Sequence, residues 1–480
     1  MEWIIIIGIA VFIIYQLGKS AGRKSVSNYQ PSTPEPKQPI KIAKRDTQAK
    51  LDAVLPDNLE ITPEFQKAFD LMENSDKSTF ITGKAGTGKS TLLKYFRLNT
   101  KKNAVVLAPT GIAALQVNGQ TIHSFFEFPP ELLQENRIQK NHRKIPLFQK
   151  IDILIIDEIS MVRSDMMDAI DYSLRLHRSF KAPFGGVQMV FFGDMYQLPP
   201  VVTGDLKQYF ADNFESEYFF GAQVFRKFKF NVIELQKIFR QKDQFFIDML
   251  NNIREGKILD TDMLALNKRL VPDFLASKDD LFITLASTNA IADNENQRRL
   301  NFITKPTFTY NADITGNFES KSLPTDQFLN LKVDAQVMLL KNDPDKRWVN
   351  GSIGKVIKLE DDSIQVEVNR SKYDLEVATW ENIEYKYDQE EKKIVPIVKG
   401  SFTQYPLKLA WAVTIHKSQG RTFEQVVIDL GNGAFAHGQT YVALSRCTSF
   451  EGIILKNAIR PKDIIVDQKI KKFMLLKNQL

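Results

Sequence analysis

From residue 56 onward, short apolar runs alternate with longer stretches that have the composition of helices. Parallel strands need a long crossover between them, and a helix usually supplies it. The first half of the chain therefore predicts a parallel sheet with helices on both faces, an α/β fold. The strands predicted for it are Thr79–Thr82, Ala104–Ala108, Ile153–Ile156, Val187–Phe192 and Val232–Leu235.

A second set of apolar runs follows in the other half: Leu281–Leu285, Val426–Leu430 and Gly452–Leu455. Residues 343–402 interrupt this set and change the pattern. There Ile364, Val366 and Val368 alternate with polar neighbours, and turn residues precede them at 360–362. A period of two is typical of antiparallel strands. The sequence thus predicts a second parallel sheet with a small antiparallel barrel inserted at 343–402.

The first seventeen residues are unusually apolar, and 3–15 carry no charge. A helix of about fifteen residues spans only about 22 Å, less than the roughly 30 Å of a hydrocarbon core. Positive charges follow the run and none precedes it, which disfavours a cleaved signal peptide and places the body in the cytoplasm. We expect a short membrane-anchor helix at 1–17. A signal-like segment and a buried or partner-binding helix are the alternatives.

Residues 18–50 read as a disordered linker, because four prolines lie there among Ser, Gln, Thr and Lys. The whole chain of 480 residues has a net charge of +7, which mildly favours an anionic partner. Cys447 is the single cysteine, so an internal disulfide and a cysteine metal cluster are excluded. A reducing compartment fits this composition.

The string GKAGTGKS at 83–90 matches the phosphate-binding loop GxxxxGK[ST], between a predicted strand and a predicted helix. Glycines let backbone N–H groups close around phosphates, and the helix N-terminus adds partial positive charge. Lys89 is expected on the β- and γ-phosphates and Ser90 on Mg²⁺. The predicted nucleotide-binding residues here are Gly83, Lys84, Ala85, Gly86, Thr87, Gly88, Lys89, Ser90 and Thr91.

Two further strand ends carry catalytic candidates. The string ILIIDE at 153–158 places two carboxylates at the end of a predicted strand. Asp157 is expected to hold Mg²⁺, and Glu158 is expected to orient and deprotonate the attacking water. A base of this kind predicts ATP hydrolysis as well as binding. In GDMYQLPPV (193–201), Gln197 is placed to contact the γ-phosphate or the attacking water.

Two arginines are candidates for stabilising the transition state. Arg240 (in IFRQ, 238–241) follows the end of the first sheet, and Arg446 (in YVALSRCTS, 441–449) lies on an apparent helix of the second half. An arginine aimed at the γ-phosphate from a neighbouring domain stabilises developing charge. A salt-bridge role is the alternative for each.

Two loops offer small donors and aromatic rings to nucleic acid. Loops at strand ends meet ligands in such sheets, and donors of this kind bind phosphates while aromatic rings stack on bases. Phe126 is more often expected in a core, and His123 has a structural alternative. The predicted DNA-binding residues are Pro109, Thr110, Thr121, His123, Ser124 and Phe125 in the first loop, and Thr414, His416, Lys417 and Ser418 in the second.

The ordered set of strings resembles the Pif-one family of superfamily-one DNA helicases, related to RecD, over roughly residues 57–456. It comprises GKAGTGKST, APTGIAALQVNGQTIHSFF, LIIDEIS, PFGGVQMVFFGDMYQLPPV, IFRQ, AQVMLLKND with WVNGSIGKV, TIHKSQG and YVALSRC. TIHSFF, GDMYQLPPV and TIHKSQG separate it from other phosphate-loop ATPases.

The resemblance implies two RecA-like domains with ATP and Mg²⁺ in the cleft between them, and an SH3-like barrel. The expected divisions are 56–235, 236–342 with 403–456, the barrel 343–402, a small basic insertion near 131–150 and a tail at 457–480. The resemblance also implies an adenine-contacting role for Gln66. Partners would be single-stranded and forked DNA, with 5′-to-3′ translocation, and the family is of the DNA-repair, DNA-recombination and telomere-maintenance type. We expect a monomer.

The function expected from the sequence is therefore an ATP-dependent DNA helicase in the cytoplasm, tethered to the inner face of the membrane by its N-terminal segment. The alternative is a membrane-tethered, nucleic-acid-stimulated ATPase switch that does not unwind duplex. An inactive scaffold conflicts with the intact set of Lys89, Asp157, Glu158, Arg240 and Arg446.

Overall fold

Two parallel sheets and three antiparallel sheets are present in the described part of the computed structural model. The description covers Leu55 and residues 59–476, except 130, 179–180, 203, 205, 275–280, 319–322, 346 and 389. The predicted segments 1–17 and 18–50 lie outside the described residues. Within the described part, no helix is both long and apolar enough to cross a membrane.

The first half forms a six-stranded sheet in the order β3-β2-β4-β5-β1-β6, and every neighbouring pair is parallel. The predicted α/β unit is therefore confirmed. Its strands are β1 (Thr79–Gly83), β2 (Ala104–Ala108), β3 (Gln120–Thr121), β4 (Ile153–Ile156), β5 (Gln188–Phe192) and β6 (Asn231–Leu235). Its helices are α1 (Pro63–Asn74), α2 (Lys89–Asn99), α3 (Gly111–Gln116), α4 (Ile122–Phe126), α5 (Ile145–Lys150), α6 (Ser164–His177) and α7 (Leu206–Asn213).

Burial explains why the strand predictions for this sheet succeed. Every residue of β1, β4 and β5 is buried, and the sheet separates two apolar clusters. A strand covered by helices on both faces has no solvent side, so its sequence is a continuous apolar run. The strand ends then bring the phosphate loop, the 109–126 segment and the 157–158 pair to one edge of the sheet.

A second parallel sheet has the order β18-β7-β19-β20. It matches the predicted second set of strands and adds one strand that the sequence pattern did not single out, β18. Its strands are β7 (Ile283–Ala286), β18 (Ala412–Thr414), β19 (Val426–Asp429) and β20 (Ile453–Leu455). The helices are α8 (Gln244–Glu255), α9 (Asp260–Asn267), α10 (Asn289–Phe302) and α11 (Gln439–Leu444). Arg446 lies just past the end of α11, not on it.

The interval 343–402 contains strands of two different sheets, whereas the sequence suggested a single barrel. One sheet has the order β14-β13-β12-β11-β17 and the other β15-β16-β9, while β10 pairs with β8. Alternation shows that a strand is half-buried, but not which sheet it joins. The bounds are β8 (Phe308–Asn311), β9 (Asp313–Gly316), β10 (Phe328–Leu331), β11 (Gln336–Leu339), β12 (Ile353–Glu360), β13 (Ser363–Val368), β14 (Ser371–Leu375), β15 (Ala378–Asp388), β16 (Lys393–Gln404) and β17 (Leu407–Leu409).

Two elements from the second half pack onto the first sheet. In the β15–β16 hairpin, the hydroxyl of Tyr385 accepts a hydrogen bond from the N–H of Val106 at 3.4 Å, and the Ile394 N–H donates to Asn103 at 3.1 Å. The expected tail at 457–480 contains helix α12 (Gln468–Leu476), where Phe473 stacks on Phe220 with ring centroids 4.1 Å apart. Both elements therefore belong to the core of the first half.

Candidate functional site

The phosphate loop joins β1 to the N-terminus of α2 in a tight turn. Gly88 precedes the helix with φ 87°, and Gly86 has φ 81°. A Cβ on Gly86 would lie 2.5 Å from the Cβ of Arg240, so both the conformation and the space require glycine there. No side chain caps α2, so its first N–H groups are not engaged by a capping side chain and can bind a phosphate.

Side chains of the loop hold its shape. Lys89 Nζ donates to the carbonyls of Gly83 (2.7 Å) and Lys84 (3.0 Å), and the Thr87 hydroxyl donates to the Lys84 carbonyl at 2.9 Å. Burial lowers the pKa of Lys89, although the carboxylates of Asp194 and Glu158 oppose this shift. The lysine is thus partly desolvated among acidic groups, where a phosphate can strengthen its positive charge.

Asp157 and Glu158 follow β4, facing the loop. The pKa of Asp157 is raised to about 7 by burial and by the neighbouring Glu158 charge. Burial also raises the pKa of Glu158, while Lys89 and Arg446 oppose the rise. Glu158 has φ 52°, a left-handed conformation that is unusual for a residue with a side chain and that often accompanies a functional position.

The residues predicted to hold Mg²⁺ fit that ion. A hydroxyl at Ser90 and a carboxylate at Asp157 are hard oxygen ligands, which Mg²⁺ prefers, and its other positions are usually water and phosphate. The raised pKa of Asp157 has the same implication, because a cation beside two crowded carboxylates would stabilise their charged forms.

Asp194, Arg254 and Tyr196 form a buried group beside Gln197. Arg254 donates to Asp194 at 2.9 Å and lies over the Tyr196 ring at 4.2 Å, and Gln197 Nε2 donates to Asp194 at 3.4 Å. Burial raises the pKa of Asp194, but Arg254 and Lys89 outweigh it and hold the pKa below its usual range. Gln197 is thereby fixed at the strand end where the sequence placed it. Sequence reasoning did not identify Asp194 or Arg254.

The two predicted arginines meet at the end of α11. Arg240 donates to the Ser445 carbonyl at 3.0 Å, and Arg446 donates to the Val442 carbonyl at 3.0 Å and the Ser445 hydroxyl at 2.9 Å. Burial lowers the pKa of both, that of Arg240 to about 9. Arg446 is 1% exposed and acts electrostatically on Glu158, so the second half contributes a cation to the carboxylate pair of the first.

Phe239 is a candidate that the sequence interpretation missed. Its N–H donates to the Gly86 carbonyl at 2.9 Å, its ring lies within about 4 Å of where a Cβ on Gly88 would be, and it is 47% exposed. An exposed ring against the phosphate loop can stack on a base. Gln66, by contrast, is exposed on α1 and bonds to Asp70 of its own helix at 3.0 Å. The one feature of the sequence that could have indicated Phe239 is the position of this aromatic residue next to the arginine in IFRQ.

The first predicted DNA segment divides into structural and accessible residues. Thr110 and Thr121 cap α3 and α4, accepting from the N–H groups of Ala113 (3.3 Å) and Ser124 (3.2 Å). Pro109 and His123 are half-buried, and Ser124 is exposed. Phe125 is 1% exposed and packs among aromatic rings, so its ring offers no face to a base. This burial corrects the prediction that Phe125 stacks on DNA. Phe126 is also part of the core.

The second predicted DNA segment divides in the same way. The Thr414 hydroxyl accepts from the Lys417 N–H at 3.2 Å, and the buried Ser418 hydroxyl donates to the Ile415 carbonyl at 2.7 Å. His416 is half-buried and Lys417 is exposed. The two segments approach each other, because a Cβ on Gly420 would lie 3.2 Å from Gln116 Oε1 in α3.

Comparison with known proteins agrees with this geometry. A family model described as PIF1-like helicase matches residues 60–263. The ATP-dependent DNA helicase Pif1 of Bdellovibrio bacteriovorus is 34% identical over 427 residues, covering 86% of this chain and 92% of that protein. Two solved structures are similar, each 39% identical and covering 88% of this chain and 98% of the other. Unliganded Pif1 from a Bacteroides species has a TM-score of 0.81, and Bacteroides Pif1 bound to ssDNA has 0.65. This chain belongs to the PIF1-like helicase family and has its RecA-like helicase fold.

Proposed function

We propose that this chain is an ATP-dependent DNA helicase. One observation carries the proposal: the phosphate loop, the Asp157–Glu158 pair and the two arginines converge between the two parallel sheets. Arg446 of the second half and Lys89 of the first both act on Glu158. A site assembled from two domains makes hydrolysis depend on how those domains are arranged, which is what a motor needs.

In the proposed chemistry, the 83–90 loop cradles the phosphates and Lys89 neutralises their negative charge. Ser90 and Asp157 would hold Mg²⁺, which supplies further neutralisation of the phosphate oxygens. Glu158 accepts a proton from the attacking water, and Gln197 orients that water. Arg240 and Arg446 stabilise charge that develops on the γ-phosphate. Phe239 stacks on the base; Gln66 stays a prediction for contacting adenine.

The chain moves along single-stranded DNA if the two predicted DNA segments bind the strand alternately. Thr110, His123 and Ser124 on one side, with His416 and Lys417 on the other, are the accessible groups proposed for these contacts. Proteins of this family have been solved with ssDNA and at forked dsDNA. Polarity of 5′-to-3′ rests on the resemblance alone. A switch that hydrolyses ATP without unwinding gains no support from relatives that are named as helicases.

Two finer assignments accompany the proposal. The sheet β14-β13-β12-β11-β17 has its own apolar cluster, and we assign it with the β8–β10 pair to the inserted SH3-like barrel. The apolar segment 1–17 is proposed as a tether to the inner face of a membrane on composition alone. A monomer is proposed as the working unit.

The direct test of the proposed function is ATP turnover by the full chain with and without single-stranded DNA. We expect strong stimulation by DNA and none in Lys89→Ala. Lys67→Ala, an exposed lysine on α1, is the matched control and should hydrolyse like the wild type. A rate of ATP turnover that neither DNA nor RNA changes would contradict a nucleic-acid motor.

A further inference from the structure

Three cationic side chains gather beside the second DNA segment: Lys408, Lys417 and Arg421. Lys408 lies on β17 directly opposite Met338 of β11, and paired residues in antiparallel strands project to the same face. The guanidinium of Arg421 contacts the Met338 sulfur, which puts it next to Lys408. The stem of Arg421 also lies over Gly351, within 3.7–3.9 Å of where its Cβ would be. We call Lys408, Lys417 and Arg421 the 408–421 cluster.

Two buried donors, one in the cluster and one beside it, have no hydrogen-bond partner among the described residues. Arg421 is 8% exposed, and its Nε has no hydrogen-bond partner among the described residues. Gln419, two residues earlier and also 8% exposed, has an Nε2 atom that likewise lacks a partner in the described part of the chain. Buried donors are nearly always satisfied in native proteins, so two in one loop point to a ligand that accepts hydrogen bonds.

The charges around Lys408 indicate the sign of that ligand. The pKa of Lys408 is lowered to about 7, first by burial and then by Arg421 and Lys417, while Asp326 and Asp293 oppose the shift. Burial likewise lowers the pKa of Arg421 to about 10. Two desolvated like charges side by side destabilise each other, and an anion between them removes that repulsion.

Position identifies the anion. Arg421 directly follows the 414–420 loop, whose Gly420 approaches Gln116 of the first half, so the cluster lies where the two DNA segments meet. We infer that Lys408 and Arg421 form a phosphate subsite that holds one backbone phosphodiester of the single-stranded DNA beside Lys417. Gln419 donates a further hydrogen bond in that subsite. This subsite rests on the proposed DNA-binding function.

Binding of fluorescent oligo-dT to the full chain at several salt concentrations tests the subsite. Lys408→Met and Arg421→Met should each weaken binding roughly tenfold, the size expected of a charge-assisted hydrogen bond. Each should also lower the slope of log K against log salt by about 0.7, the value for one lost phosphate contact. ATP turnover without DNA should stay unchanged.

Lys101→Met is the matched control. Lys101 is exposed just before β2, at the amino ends of the strands and therefore opposite the ligand edge. It should leave affinity and slope unaltered. Thermal unfolding checks each variant, and Lys408→Arg, which keeps the charge, should restore binding if Lys408→Met loses it.

A pH series separates a phosphate contact from a packing role. A bound phosphate raises the pKa of Lys408, so binding takes up a proton, and affinity should fall by up to about tenfold per pH unit above about pH 7. The groups facing Lys408 are Arg421, Lys417, Asp326 and Asp293. Burial lowers the pKa of His416, which places its titration below this range. Lys408→Arg should flatten the pH series, because arginine stays charged.

The outcomes distinguish the subsite from the function it rests on. Wild-type chain that does not bind oligo-dT would overturn the proposed function itself. The subsite alone would be overturned by a different result. In that case the wild-type chain binds oligo-dT normally, and the folded Lys408→Met and Arg421→Met variants show the same salt slopes and pH series as the wild type.

Discussion

The hydroxyl of Tyr441 accepts a hydrogen bond from the N–H of Ala85 at 3.0 Å, so α11 of the second half contacts the phosphate loop of the first. The same hydroxyl donates to Asp194 at 3.4 Å, and Tyr441 is buried. One oxygen thus joins a phosphate-binding amide, the acidic residue beside Gln197 and the helix that precedes Arg446. This contact links the two halves at the place where ATP chemistry is expected.

Tyr441→Phe should reveal that link. Removing the hydroxyl leaves the Ala85 N–H buried and unpaired, which costs about 1–3 kcal/mol in the free energy of unfolding. With a non-hydrolysable ATP analogue and Mg²⁺ the loss should shrink, because phosphate oxygens accept loop N–H groups. Denaturant unfolding with and without analogue measures both values. Tyr209→Phe, a half-exposed tyrosine of α7, is the control. A loss that is identical in both conditions would refute the competition for this N–H.

Arg254→Met should destabilise the chain by about 3–5 kcal/mol, because it leaves Asp194 charged and buried without its ion-pair partner. Adding Asp194→Asn should recover much of this loss, since the uncompensated charge disappears. Equilibrium unfolding of the two single variants and the double variant gives the coupling. Losses that simply add would mean that the pair contributes no mutual stabilisation.

Glu158→Gln should keep ATP binding and lower turnover by about 10² to 10⁴, the range for removing a general base. The amide has the size of the carboxylate but cannot accept the water's proton. Nucleotide binding followed by fluorescence, together with steady-state hydrolysis, separates the two effects. Weakened binding with intact turnover would assign Glu158 to nucleotide binding instead.

Deleting residues 1–17 should release the protein from membrane fractions, because that apolar segment is the proposed tether. Fractionation of cells expressing the full and the shortened chain measures this. DNA-stimulated ATP turnover should be the same for both. Full-length protein found only in the soluble fraction would contradict the proposed tether.

The features that could be predicted from the sequence are those that depend on the local pattern of residues. Runs such as ILII at 153–156 are buried on both faces, so composition alone marks them as strands, and the glycine spacing at 83–90 specifies a loop with one function. The carboxylates and arginines could be placed because each follows such a strand or lies in a family string.

Long-range packing decided the rest, and no local pattern encodes it. Phe125 faces the core because Phe148 and Tyr385 surround it, and Tyr385 is 260 residues away along the chain. Phe473 of α12 stacks on Phe220, which turns an expected tail into part of the first domain. Arg254 pairs with Asp194, which lies 60 residues earlier in the chain. Such partners are visible only when the fold brings the two positions together.

Helicase activity is tested by separation of a forked DNA duplex with a 5′ single-stranded tail by the full chain, with ATP and Mg²⁺. We expect ATP-dependent strand separation that is lost in Lys89→Ala and retained in Lys67→Ala. DNA-stimulated hydrolysis without any strand separation would contradict it, and would mean that the chain is an ATPase switch and not a helicase.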